Sequence, residues 1–269
     1  MNSLIPKRII QTDKSINLPP ISRGTVANIR LLNPDFEYLF FDDMQVEEFI
    51  KSFYPEYLNI FNSFPFRIQK YDFFRYLVIY RYGGFYFDMD ILLTQKLDSL
   101  VAFGCVFPFE RLTWSDYLRV KHKMEWEIGN YAFGATVGHP FVNAIIKNCI
   151  RAQTDHEWRE EILRPFSSIL RQELFVIYTT GPGLVTRTLA EYINTSKPVK
   201  ILFPKNICDK NNWNQFGEYG VHLMHSSWRS QHGFLRKKLI NFLAWRNEKR
   251  AIKLALKFYK SRTLDNNNE

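Results

Sequence analysis

Apolar residues along the chain fall into two patterns. Short runs of four to eight, rich in β-branched and aromatic residues, alternate with longer stretches in which apolar positions recur at helical spacing. LIPKRIIQT (4–12) predicts a first buried strand, and RGTVANIRLL (23–32) a helix that stops before Asn33-Pro34. EYLFF (37–41) predicts a second strand, with Asp42 or Asp43 capping the helix 44–53. Pro55 opens a short helical piece, and residues 66–82 form a long helix. GGFYFDMD (83–90) follows as turn, strand and acidic tip. CVFPFE (105–110) and YAFGATV (131–137) predict further strands, and Pro140 starts the helix FVNAIIKNCIRAQ. VIYTTGPG (176–183) predicts a strand running into a glycine turn, followed by the helix LVTRTLAEYI. VKILFP (199–204) and GVHLMH (220–225) are late strands. Residues 111–127 mix charges with tryptophans and predict no element. Strands alternating with helices indicate an α/β layered fold.

Composition narrows the class. With 269 residues, 46% hydrophobic and 16% aromatic, the chain can bury one large core. No stretch reaches the roughly 18 apolar residues of a membrane-spanning helix, and nothing near the N-terminus reads as a secretory leader. Cys105, Cys149 and Cys208 lie far apart, without a CxxC pair, and read as buried thiols of a reducing compartment. A cytoplasmic location is therefore expected.

The net charge of +9 is concentrated near the C-terminus. Residues 234–262 hold ten Lys/Arg and one Glu, whereas residues 1–233 carry +2. A nucleic-acid-binding domain would spread its basic stripe across the fold, so no nucleic-acid partner is expected. The segment 233–262 has a helical pattern, with Leu235, Leu239, Phe242, Leu243, Ile252, Leu256 and Tyr259 as an interrupted apolar stripe. Two arrangements suit it: lying on an anionic membrane surface, or packing on the domain with a solvated basic face. The expected organisation is a catalytic domain over 1–232, a basic amphipathic helix over 233–262 and a disordered tail over 263–269.

The chemistry is concentrated in FDMD (87–90). Asp88 and Asp90 stand at a strand end, where open α/β sheets bind ligands. Their i, i+2 spacing lets both carboxylates reach one hard cation, Mg²⁺ or Mn²⁺, whose shell substrate phosphates complete. Strands ending this way also carry the nucleophile of haloacid-dehalogenase-type phosphatases. Here, however, the motif comes late in the chain and Ile91-Leu92 follows it. Gly83-Gly84 permits a sharp turn ahead of the strand. Asp72 and Arg75, three apart on the preceding helix, share a face; they are either a surface ion pair or cleft residues beside the metal.

IPKRIIQT followed by YDFFRYLVIYRYGGFYFDMDI resembles the glycosyltransferase sugar-binding region with a DXD motif, glycosyltransferase family 32. That family includes bacterial capsule and lipopolysaccharide transferases and the fungal initiating mannosyltransferase; the large clostridial glucosylating toxins are distant relatives. Asn130 with Phe133 and Gly138-His139-Pro140, then Thr180-Gly181-Pro182, then His222 with Trp228 continue the family's series in order. The resemblance implies a GT-A-type, Rossmann-like nucleotide-sugar-binding fold and a retaining hexosyltransferase. It implies a UDP- or GDP-sugar donor, Mn²⁺ or Mg²⁺, and a glycan or lipid-linked saccharide acceptor in surface polysaccharide synthesis.

Carried over by position, Asp72, Arg75, Asp88 and Asp90 are the catalytic set. Gln11, Thr12, Gly84, Asn130, Gly181, Ser227 and Trp228 join Asp72, Arg75 and Asp88 around the donor. Asp88 and Asp90, with His222 or His225, hold the metal, and a strand through 220–225 would turn those two histidines to opposite faces. The chain departs from the family at Ile10, where a histidine is usual, and at Asp13, where a tryptophan is usual. The alternatives are the phosphatase and a catalytically inactive protein that binds carbohydrate or a membrane surface.

Overall fold

The computed structural model describes residues 4–192, 197–224 and 234–265. Among them the short apolar runs become nine strands: β1 (Arg8–Thr12), β2 (Glu37–Phe41), β3 (Gly84–Phe87), β4 (Ile91–Leu93), β5 (Cys105–Leu112), β6 (Trp126–Ile128), β7 (Ala132–Ala135), β8 (Lys200–Leu202) and β9 (Gly220–His222). The main sheet has the order β2-β1-β3-β7-β5-β6, with β8 also paired to β5. β1 lies parallel to β2 and β3, and β8 lies parallel to β5. β7 is antiparallel to both β3 and β5. A separate two-stranded ribbon joins β4 to β9.

Both faces of the sheet are covered, and the period-2 alternation of its strands feeds two cores. Ile10, Tyr86, Phe107 and Phe133 point to one side. There they meet α2 (Asp43–Phe53), α4 (Arg67–Tyr82), α6 (Pro140–Thr154) and α9 (Pro182–Glu191). Ile9, Phe85, Phe87 and Val106 point to the other, against Ile29 of α1 (Pro20–Leu32) and Leu97 and Leu100. The α/β class read from the pattern holds.

Local signals set most boundaries. Asp42, not Asp43, is the N-cap of α2, accepting from Gln45 N while the Gln45 side chain accepts from Asp42 N. His139 Nδ1 accepts from Phe141 N and caps α6 ahead of Pro140. Burial holds that imidazole neutral, its pKa pulled down to about 4. The cysteines are all free; Cys105 and Cys149 are buried, but Cys208 is only half-buried.

Three expectations are corrected. VIYT is not a strand: α8 spans Ser168–Thr179. Leu170, Leu174, Ile177 and Tyr178 recur at helical spacing and bury one face against Leu118, Ile162 and Leu163. Residues 111–127, unassigned by pattern, finish β5 and then form α5 (Asp116–His122), capped by Ser115, and β6. Buried Glu127 holds that segment, taking hydrogen bonds from Thr113 (2.7 Å), Tyr178 (2.9 Å) and Arg111 (3.2 Å). Finally, β9 stops at His222, and Met224 adopts φ +57. The expected straight strand through 225 is absent, and His225 lies outside the described residues.

Gly84 shows how closely the elements pack. Its φ is +106, and a Cβ there would lie 2.6 Å from the Arg8 carbonyl oxygen. Gly84→Ala is expected to cost about 3 kcal/mol. In a chain of this size the thermal midpoint should fall by about 6–12 °C, read by calorimetry. An unchanged midpoint would show that the β1–β3 contact is loose.

Candidate active site

β3 delivers the acidic motif to the end of the sheet. Asp88 N donates to the Tyr131 carbonyl (2.7 Å), and a tight turn returns Ile91 N to the Asp88 carbonyl (3.2 Å). The chain then enters β4, whose partner β9 comes from about 130 residues further on. Register places Ile91 opposite His222, and Leu223 N donates to the Asp90 carbonyl (2.9 Å). This pairing swings the imidazole to the motif: His222 Nε2 lies 3.3 Å from Asp90 Oδ1. Asp88, Asp90 and His222 each offer a ligand atom, all within 4.8 Å of one another. Tyr131 stacks on the His222 ring at 4.5 Å between centroids and fixes its plane.

Behind the cluster is a buried polar wall. Arg75 Nη1 contacts Asp88 Oδ1 at 3.1 Å, and Arg75 Nη2 contacts Asp72 Oδ1 at 3.2 Å. Asn130 Nδ2 donates to Asp72 Oδ1 (3.0 Å) and Thr180 Oγ1 to Asp72 Oδ2 (2.8 Å). Arg75 Nη1 also donates to the Asn130 carbonyl (2.8 Å) and lies over the Tyr86 ring at 4.7 Å. Tyr86 OH donates to Asp88 Oδ1 (3.0 Å). Side-chain exposure separates two layers: 27% and 18% for Asp88 and Asp90, but 5% and 4% for Asp72 and Arg75. Asp72 and Arg75 are thus not a surface ion pair. They stand behind the open cluster, and Arg75 bridges the two carboxylates.

Electrostatics follow from that burial. Desolvation raises the Asp72 carboxyl to about 6 despite Arg75, and raises Asp88 as well. Burial works to lower His222, but its hydrogen bond to Asp90 and the surrounding carboxylates outweigh it and raise its pKa. Two carboxylates and an imidazole, crowded together and only partly shielded from solvent, are a donor set that fits Mn²⁺ or Mg²⁺.

Gln11 is fully buried; its Nε2 donates to the Asp88 carbonyl (3.3 Å), and its Oε1 accepts from Tyr38 OH (3.0 Å). It supports the motif from beneath. Thr12 is buried and donates to the Phe41 carbonyl (2.7 Å). Gly84 backs onto Arg8, away from the carboxylates at the other end of β3, and Gly181 is the N-cap of α9. Ser227 and Trp228, like His225, lie outside the described residues.

Pattern reading missed Glu110, at the end of β5 nearest the site. A Cβ on Gly129 would lie 2.7 Å from Glu110 Oε2 and 2.6 Å from the Tyr131 ring. Its charge acts on both Tyr131 and His222. The available signal was a carboxylate closing the strand CVFPFE, just as Asp88 follows β3. Gly129→Ala should displace the Tyr131 ring that orients His222. Mn²⁺ affinity is then expected to fall about 10–100-fold, the range seen when outer partners of metal ligands are lost. Calorimetric titration checks this, and unchanged affinity would remove Tyr131 from the account.

Residues 20–107 match the family described as glycosyltransferase sugar-binding region containing DXD motif. Inositol phosphoceramide mannosyltransferase 3 of Schizosaccharomyces pombe is 30% identical over 181 residues, 67% of this chain and 44% of that protein. Inositol phosphoceramide mannosyltransferase 2 of the same yeast is 34% identical over 145 residues, 54% of this chain and 38% of its own length. The initiation-specific alpha-1,6-mannosyltransferase of that yeast is 26% identical over 210 residues, covering 71% and 49%. The chain spans less than half the length of each. Among solved structures, PaToxG Glycosyltransferase superposes with a TM-score of 0.46 at 16% identity, over 70% of this chain and 69% of that one. The UDP-bound glycosyltransferase domain of the YGT toxin gives 0.46 at 10% identity, over 74% and 80%. The family match decides the FDMD ambiguity against the phosphatase.

Proposed function

We propose that the chain is a metal-dependent, retaining hexosyltransferase. In this reading it moves a hexose from a UDP- or GDP-sugar to a glycan or lipid-linked saccharide at the cytoplasmic face of a membrane. The observation that carries the proposal is the convergence of Asp88, Asp90 and His222 to within 4.8 Å, from a turn and a strand that meet only in the folded chain. The similarity to mannosyltransferases, among them one that acts on inositol phosphoceramide, favours mannose as the sugar and an inositol-phosphate lipid as acceptor. Surface polysaccharide assembly is the wider role this supports.

Asp88, Asp90 and His222 would hold the cation, which when bound supplies positive charge to the departing diphosphate. Arg75 keeps Asp88 placed and contributes cationic charge behind it. Asp72 and Asn130 wall the sugar side, Asp72 aligned by Thr180. The acceptor oxygen bonds to the anomeric carbon on the face that the diphosphate leaves, and the hydroxyl proton passes to the leaving phosphate. Retention follows without a glycosyl–enzyme bond.

The test is a donor screen. Purified protein with Mn²⁺ is given each common UDP- and GDP-hexose, GDP-mannose first, and nucleoside diphosphate release is followed. Release from one donor, dependent on metal, supports the proposal. No release from any donor, with tight metal-dependent donor binding, would instead mark a binding protein that has lost turnover.

A further inference from the structure

The helix α10 (Phe234–Asp265) presents two unlike faces. Ala251 and Ala255 are buried against Phe109, Leu112 and Trp213, and Leu243 joins the Leu170–Leu174 cluster. Ion pairs hold this inner side: Lys210 to Glu248 at 2.6 Å and Arg250 to Asp116 at 3.3 Å. The stripe expected from sequence is therefore split. Leu243 and Ile252 pack inward, while Leu239 and Phe242 face out.

Leu239, Phe242 and Trp245 are 42%, 53% and 49% exposed, and their three-residue spacing makes one row. The Phe242 and Trp245 rings stack at 5.9 Å, and Lys249 Nζ lies 4.1 Å over Trp245. Lys238, Arg246 and Lys253 are exposed on the same face. The single acid of 234–262, Glu248, is turned inward to Lys210.

A solvated helix face has no use for an exposed aromatic row, and a protein groove lined by acids would not need one this broad. Rings among cations match the boundary between lipid headgroups and acyl chains. There the apolar bodies sink in and the ammonium groups stay at the anionic surface. Among the described residues no helix is long and apolar enough to cross a membrane, so attachment through this helix would be peripheral.

We infer that the outer face of α10, centred on Phe242 and Trp245, docks on an anionic lipid surface. Because α10 leans on Phe109 and Leu112, the end of β5 that carries Glu110, docking brings that surface to the site's end of the sheet. Only this last step, delivery of a lipid-borne acceptor, rests on the transferase reading.

The test uses the full chain with phosphatidylcholine vesicles, alone and mixed with phosphatidylglycerol. The protein should co-sediment with the mixed vesicles and not with the neutral ones. Phe242→Ser with Trp245→Ser, and separately Lys238→Glu with Lys249→Glu and Lys253→Glu, should each weaken association at least about tenfold. Circular dichroism and nucleoside diphosphate release in vesicle-free buffer should match the parent protein. A parent protein that binds the mixed vesicles but releases no nucleoside diphosphate from any donor would count against the transferase and leave the docking face standing. Equal binding to both vesicle types, no binding, binding to a homopolymeric RNA alone, or variants that bind like the parent would overturn the docking face.

Discussion

Asp90→Asn is expected to abolish metal-dependent donor turnover, by about 10³-fold, while leaving the fold intact. Asp90 contributes to the architecture through its backbone, whose carbonyl accepts from Leu223 N. That bond survives the substitution. Its side chain faces His222 at 3.3 Å and is only partly exposed. Removing one charge from a three-ligand set weakens cation binding and the charge delivered to the leaving group. A loss of about 4 kcal/mol of transition-state stabilisation corresponds to that factor. The check is kcat/KM for the donor across a Mn²⁺ titration, with the thermal midpoint measured in parallel without metal. Retained turnover at saturating Mn²⁺ would place the chemistry elsewhere.

Arg75→Met should act first on stability. The guanidinium bridges Asp72 and Asp88, and both Arg75 and Asp72 are nearly inaccessible. Its removal leaves a buried carboxylate without its countercharge, at a cost of about 3–5 kcal/mol. The midpoint should drop by about 10 °C at neutral pH. The pH dependence gives a sharper test. Asp72 titrates near 6 in the folded protein, above its ordinary value of 3.8. Between those values the folded state binds more protons than the unfolded one, so this group adds stability as pH falls through 6 towards 4. Without Arg75 the carboxyl rises further and the gain on acidification grows. With chelator present, the gap between variant and parent should narrow from pH 7.5 to pH 5.5. A gap that stays constant would mean that the lost packing of Arg75, and not its charge, is what matters.

Much of this was legible in sequence because its signals are local. The alternation in β1 and β3, Gly83-Gly84 and the carboxylates of FDMD need no distant partner to be read. The 16-residue helix α4 carries Asp72 and Arg75 one turn apart, and that spacing alone brought them together. What stayed hidden depends on tertiary contacts. VIYT has β-branched residues that suit a strand, yet Leu170 to Tyr178 complete a helical face only once Leu118 and Ile162 lie opposite it. Asp72 and Arg75 read equally well as a surface pair; Asn130 and Thr180, 58 and 108 residues away, are what close over them. Glu110 gave no motif of its own and became relevant only when β5 ended beside Tyr131.

The β4–β9 ribbon has a further consequence for how the molecule comes together. Its two strands are three residues each, and their register sets His222 beside the acidic turn. A nascent chain carrying residues 1–200 holds the whole DXD motif but not its imidazole. Cation capture should therefore be a late event in folding and, once made, should act as a clasp across a contact of high sequence separation. By mass action a cation at about 100 times its Kd adds about 2.7 kcal/mol to that closure. Fraying of the ribbon and release of the cation would then be one event, coupling product departure to a short pairing outside the main sheet.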